Sequence, residues 1–325
     1  MEMNLKPQKA DATIFEGEGG GYYAWTAANT PVVVAAAIGA GRLVLQPQGF
    51  ALPHYADASK IGYVIQGSCT VGLILAERPE EKVVIIEEGD AIACPIGSIS
   101  WWFNGGDSEV TIIFLGETSQ SYTPGLFDYF FLTGALGILR GFSTEFVAKT
   151  YDLNHDQSKH LVESQANALV IKIGADIVNR LPDKCNCKKE EYAVNLDTDT
   201  VTDRVGLSPK LVRLEAGTVL DPYYSTANQI MYVTKGGGRI QIVGLNGTRV
   251  LDEVVEEGHL ILVPKFFLAA LMATDKGLEC LCVSTSPRHL SMKIGGNTSA
   301  YKALSSSVLE VALNVSPEFV KNFKS

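Results

Sequence analysis

Two stretches of the sequence decide its fold: Leu52-Pro53-His54-Tyr55 and, shortly after it, Tyr63-Val64-Ile65-Gln66-Gly67. Both return later, as Asp221-Pro222-Tyr223-Tyr224 and Tyr232-Val233-Thr234-Lys235-Gly236. Glu87-Glu88-Gly89 returns as Glu256-Glu257-Gly258, and Pro95 returns as Pro264. Every match lies 169 positions on: 53 pairs with 222, 63 with 232, 89 with 258 and 95 with 264. A constant offset over more than forty residues leaves no room for insertions. The chain is therefore read as a tandem duplication of one domain.

Each copy has a β pattern. Lys60–Gln66, Thr70–Leu75, Lys82–Ile86 and Ala91–Cys94 are short apolar or alternating runs punctuated by Gly, Pro and acidic pairs. That spacing predicts an antiparallel sandwich or barrel. Arg239–Leu245, Asn246-Gly247 and Arg249–Val254 predict a hairpin, because Asn and Gly both tolerate positive φ. Helical pattern follows each barrel: from Ser143 toward Tyr151, over Ser158–Gln165, and at the C-terminus over Ser305–Leu313 and Pro317–Asn322. Ser305 and Ser316 are the expected N-caps there. The charged stretch Pro182–Tyr192 reads as an exposed linker, which puts the domains at 1–180 and 181–325.

Composition narrows the function. The 325 residues carry 27 Lys+Arg against 36 Asp+Glu, a net charge of −9, with 46% hydrophobic and 19% charged residues. An acidic, apolar-rich chain is neither a disordered segment nor a nucleic-acid binder. The longest apolar runs, Pro31–Ala40 and Leu260–Pro264, are too short for a membrane span, and Met1–Lys6 has no signal-peptide pattern. A cytoplasmic protein is expected. Six cysteines occur, including Cys185-x-Cys187 and Cys280-x-Cys282. Neither pair has zinc spacing, so all are read as thiols in a reducing compartment.

These residues resemble the cupin superfamily. Gly89, Pro95, Gly97 and Asn104 stand at the spacings of its second motif, and Gly67 and Gly236 match the glycine ending its first. Ala51–Tyr55, Trp101-Trp102, Phe130–Gly134, Gly141–Phe146 and Val263–Phe267 narrow the resemblance to the legumin-type (11S globulin, glutelin-like) bicupins of plants. The resemblance implies an all-β protein of two tandem jelly-roll barrels with helical extensions. It also implies self-association as a dimer or trimer, and a seed storage role.

Metal-binding cupins use three histidines and a glutamate. Carried over through Gly67 and Pro95, those positions hold Pro53, Tyr55, Lys60 and Ser100 in the first copy. In the second copy they hold Pro222, Tyr224, Gln229 and Ala269. None is a customary ligand, so no metal or other cofactor is expected. Strand alternation then points His54, between two of these positions, away from the interior. The interior is expected to offer Tyr55, Lys60 and Ser100 in the first barrel, with Trp102 and Cys69 as lining. Tyr224 and Gln229 would take the equivalent places in the second.

Two functions follow. One is a metal-free bicupin with a storage, small-molecule-binding or assembly role. The other is a cofactor-independent isomerase, cyclase or lyase, in which Tyr55 and Lys60 act on a small apolar metabolite. A lysine in a greasy barrel is a candidate base or Schiff-base nucleophile because burial lowers its pKa. A metal-dependent oxidase of the germin-like kind is a weaker alternative. A barrel cavity above roughly 300 Å³ would favour binding or catalysis, and a filled one the structural role.

Overall fold

The computed structural model describes residues 4–166, 168–182, 187–197 and 205–325. It divides into two compact units, Gln8–Lys210 and Leu211–Ser325, the second taking in residues 4–7.

The first unit is a jelly roll of two sheets. One runs in the order Ala12–Gly17, Gly20–Ala24, Ile38–Leu45, Val110–Glu117, Ser59–Gln66, Asp90–Cys94, Ala193–Asn195. The other runs Tyr129–Phe131, Gly49–Ala56, Ile99–Phe103, Ser68–Leu75, Arg78–Glu87, with Val170–Lys172 also paired to Gly49–Ala56. The pairings are antiparallel throughout. Leu43, Val64, Ile92 and Ile112 from the first sheet close on Val71, Val84 and Trp102 from the second. Burial of this apolar surface is the main force holding the sheets together. The fit is close: a Cβ on Gly41 would stand 1.8 Å from the Tyr22 hydroxyl.

In the second unit the sheet runs Arg249–Glu256, Gln229–Val243, Leu268–Ser284, Val219–Ser225, Ser291–Lys293. The hairpin forms as expected, with Asn246 and Gly247 at φ 60° and 70°. Gly236-Gly237-Gly238 lies within the strand Gln229–Val243. The strand runs on through it, with ladder shifts between Val233 and Lys235 and between Gly236 and Gly238. Gly236, at φ 74°, supplies the corner, since a side chain there would be strained.

The helices follow their caps. Ser143 accepts the Phe146 amide at the head of Thr144–Tyr151, and Ser316 accepts that of Phe319 at the head of Pro317–Lys324. Ser305 stands at the N-cap position of Ser306–Leu313, but its side chain accepts no amide hydrogen of that helix. The helix expected from Ser158 starts at His155 instead, because Asn154 and Gln157 form a reciprocal capping box.

The first compact unit runs on to Lys210. After the charged stretch the chain returns to the first barrel, where Ala193–Asn195 pairs with Asp90–Cys94. A buried carboxylate fastens it: Asp90 takes an ion pair from Lys189, the Asn195 amide at 3.3 Å and the Glu87 backbone N–H at 2.7 Å. Such a charge is tolerated inside only because it is paired and hydrogen-bonded. Cys185 lies outside the described residues.

Candidate functional site

The sequence-expected interior positions are one residue out of phase on the strand Gly49–Ala56. Ala51 faces Trp102 and His54 faces Ser100, so two residues, Leu52 and Pro53, oppose one, Trp101. The dislocation spans Pro53, which has no amide hydrogen to give the ladder. Ala51 and His54 turn inward to line the interior, and Tyr55 turns outward to stack on Phe130 at 5.0 Å and 8°. The expected pairing of Tyr55 with Lys60 is thus corrected: His54 stands on Lys60's side. The same dislocation recurs in the second unit, where Leu220 faces Leu271 and Tyr223 faces Ala269 across Pro222. Tyr223 is buried, and Tyr224 turns away with its hydroxyl 3.7 Å from the Met292 sulfur.

Lys60 is 4% exposed. Its ammonium lies 4.1 Å from the Tyr129 ring centroid and 5.3 Å from those of Phe114 and Phe127. Three ring faces supply the cation–π attraction that part-replaces water. Burial still lowers its pKa to about 8, against the opposing pull of Cys94 and Asp57. Cys94 is its cross-strand neighbour, and burial pushes that thiol up to about 11.

His54 Nδ1 lies 2.8 Å from the Leu52 carbonyl oxygen. A carbonyl can only accept, so Nδ1 carries the proton and Nε2 keeps its lone pair. Burial, and then the charge of Lys60, lower the His54 pKa to about 3, so the ring is neutral. Tyr129 donates to the Tyr22 hydroxyl at 2.6 Å, and burial drives both phenols well above the usual range.

His54, Lys60, Tyr22, Tyr129, Phe114 and Trp102 line one cavity, whose volume is about 20 Å³. That accommodates about one water molecule. Trp102 is the wall the sequence predicted, and its indole N–H reaches Ser100 Oγ at 3.1 Å. Ser100 is buried and faces His54, but it does not line the cavity. Cys69 is another correction: it packs in the core beyond this cavity, where burial raises its thiol to about 12.

The second barrel holds a hydrogen-bonded chain of side chains. Tyr223 donates to Gln229 Oε1 at 2.8 Å, the Gln229 amide reaches Ser284 at 3.4 Å, and Ser284 meets His289 Nε2 at 3.4 Å. Gln229 is thus interior as expected, with Tyr223 in the place given to Tyr224. Among the described residues no three His, Cys, Asp or Glu side chains gather where they could hold a metal ion.

The family model described as Cupin matches residues 4–159 and 188–321. The chain belongs to the cupin family. Its two barrels make it a bicupin, and it is of the legumin type. The 12S seed storage protein CRD of Arabidopsis thaliana is 24% identical over 375 residues, covering 91% of this cupin and 82% of the relative. The recombinant pro-11S globulin of pumpkin superposes with a TM-score of 0.89 at 22% identity, covering 99% and 96% of the two chains. An 11S globulin from Wrightia tinctoria, whose structure is described as revealing an auxin binding site, superposes at 0.87 and 21% identity, covering 99% and 93%.

Tyr129, Phe114, Phe127 and Tyr22 had no motif to announce them in this cupin. The inward turn of His54 and Tyr223 did carry a signal, the proline repeated at 53 and 222.

Proposed function

We propose that this bicupin is a storage-type, self-associating protein. The observation that carries the reading is the filled first barrel, whose cavity of about 20 Å³ is far below what a metabolite needs. The catalytic alternative loses its pair, since Tyr55 turns out of the barrel to stack on Phe130 while Lys60 lines the cavity within it.

Self-association is supported by apolar side chains left exposed on the helical extensions. Phe146 is 60% exposed and stacks with Phe142, and Val311 is 84% exposed. Patches of this kind are generally covered by a partner. Light scattering on the size-exclusion peak is expected to give a multiple of 35.0 kDa at micromolar concentration. A stable 35.0 kDa species would overturn the assembly role. A cytoplasmic location is part of the proposal, supported by the buried free thiols of Cys69, Cys94 and Cys280.

A second reading, a small-molecule groove, is favoured by a concavity of about 350 Å³ in the second unit. Pro222, Ile294, Gly295, Tyr301, Lys302 and Phe323 line it, with Tyr301 and Phe323 in edge contact at 5.9 Å. This volume suits a planar aromatic acid such as auxin, the ligand named for the Wrightia protein. Calorimetric titration with auxin is expected to show saturable binding that Phe323→Ala weakens. Absence of heat at millimolar ligand would remove this reading.

A further inference from the structure

We propose that Lys60 is a covalent modification site for one-carbon aldehydes, with His54 Nε2 carrying the protons. The storage reading neither requires nor depends on it.

The geometry joins three observations. The side chains of Lys60 and His54 line one small cavity whose other walls are almost wholly aromatic or aliphatic. Its volume, about 20 Å³, admits a molecule of one or two heavy atoms, so size selects the substrate class before chemistry does. And the hydrogen bond from Nδ1 to the Leu52 carbonyl fixes the tautomer that leaves the Nε2 lone pair free.

The chemistry follows from the surroundings. No carboxylate makes an ion pair with Lys60 among the described residues; its neighbours are three ring faces and the protonated Cys94, and Asp57 acts on it through charge alone. Burial favours the uncharged amine, and at neutral pH Lys60 holds a far larger share of it than a surface lysine does. That amine is the nucleophile. Its lone pair attacks the aldehyde carbon, the C–N bond forms, and the carbonyl π pair moves to oxygen. His54 Nε2 takes the excess proton from nitrogen and returns it to that oxygen, giving the carbinolamine. A second proton passes from nitrogen through Nε2 to the hydroxyl, which leaves as water while C=N forms. The amine and formaldehyde become an imine and one water. The product is neutral, so the apolar cavity has no new charge to accommodate.

Reductive alkylation of the full chain, read by peptide mass spectrometry, tests the proposal. Once excess formaldehyde has been removed, unfolding the chain in the presence of a mild borane reductant would trap the imine as methyl-lysine. With formaldehyde at low dose near neutral pH, Lys60 is expected to be methylated earlier than exposed lysines such as Lys149 and Lys159, whose side chains are 78% and 57% exposed. With acetone, the exposed lysines are expected to be alkylated and Lys60 left untouched. His54→Gln is expected to slow Lys60 methylation by about a hundredfold, the ordinary worth of a positioned acid–base group, with Lys149 unchanged. Lys60 unmodified by formaldehyde in folded protein, yet modified after denaturation, would overturn the proposal. So would equal labelling of Lys60 by formaldehyde and acetone, which needs no variant to fold.

Discussion

Replacing Lys60 by methionine is expected to make the protein more stable at pH 7, not less. The buried ammonium has its pKa lowered from 10.5 to about 8. Below pH 8 both folded and unfolded chains hold the proton, and the folded state bears the full cost of burying it, roughly 3 kcal/mol. The facing rings of Tyr129, Phe114 and Phe127 return part of that, about 1–2 kcal/mol. Methionine keeps the apolar stem and removes the charge. The net gain at pH 7 is therefore on the order of 1–2 kcal/mol. Between pH 8 and 10.5 the unfolded chain binds more protons, so wild-type stability rises through that window and the advantage of Lys60→Met closes. Urea unfolding of both proteins at pH 7 and pH 10 measures it. A variant less stable than wild type by the same amount at both pH values would show that the charge is fully compensated inside.

The acid side is governed by His54. Its pKa is lowered from 6.5 to about 3, so the unfolded chain binds the extra proton throughout that interval. The stability contributed by keeping the ring neutral is complete above pH 6.5. It drains away as the pH falls toward 3, to a total of roughly 4–5 kcal/mol. His54→Phe retains an aromatic ring among Tyr129 and Phe131, which pack on it at 5.2 Å each. The variant gives up the bond to Leu52, a fixed loss of about 1 kcal/mol at neutral pH. Its stability is expected to be flatter than wild type between pH 6.5 and 4, so the two curves converge and then cross. Parallel acid limbs in guanidinium melts across that range would show that His54 titrates normally in the folded protein.

Much of this was legible in the sequence, for a definite reason. The duplication, the strand rhythm and the helix caps are local patterns with fixed periods, and the constant offset made each copy a check on the other. Lys60, Ser100 and Gln229 were correctly placed inside because they sit on strands without a phase change ahead of them. Tyr55 and Tyr224 were misplaced because strict alternation cannot count across a bulge. The aromatic cage was illegible for a different reason. Tyr129 reaches Lys60 from a three-residue strand hydrogen-bonded to Gly49–Ala56, and Phe114 from a strand more than fifty positions downstream. No spacing rule links them. The size of the cavity depends on how those rings interlock, which is a property of packing and not of pattern.

The bulge at Pro53 has a further meaning as a record of descent. It recurs at Pro222 with the same register on both sides: 51 opposite 102 and 54 opposite 100 become 220 opposite 271 and 223 opposite 269. Even the flanking strand is kept, since Phe131 faces His54 as Lys293 faces Tyr223. Two independent insertions would not land on the same residue of the same strand. The dislocation was inherited from the single ancestral barrel and is older than the duplication. What diverged afterwards is only what it points inward: an imidazole beside a cation in one copy, a phenol beside an amide in the other.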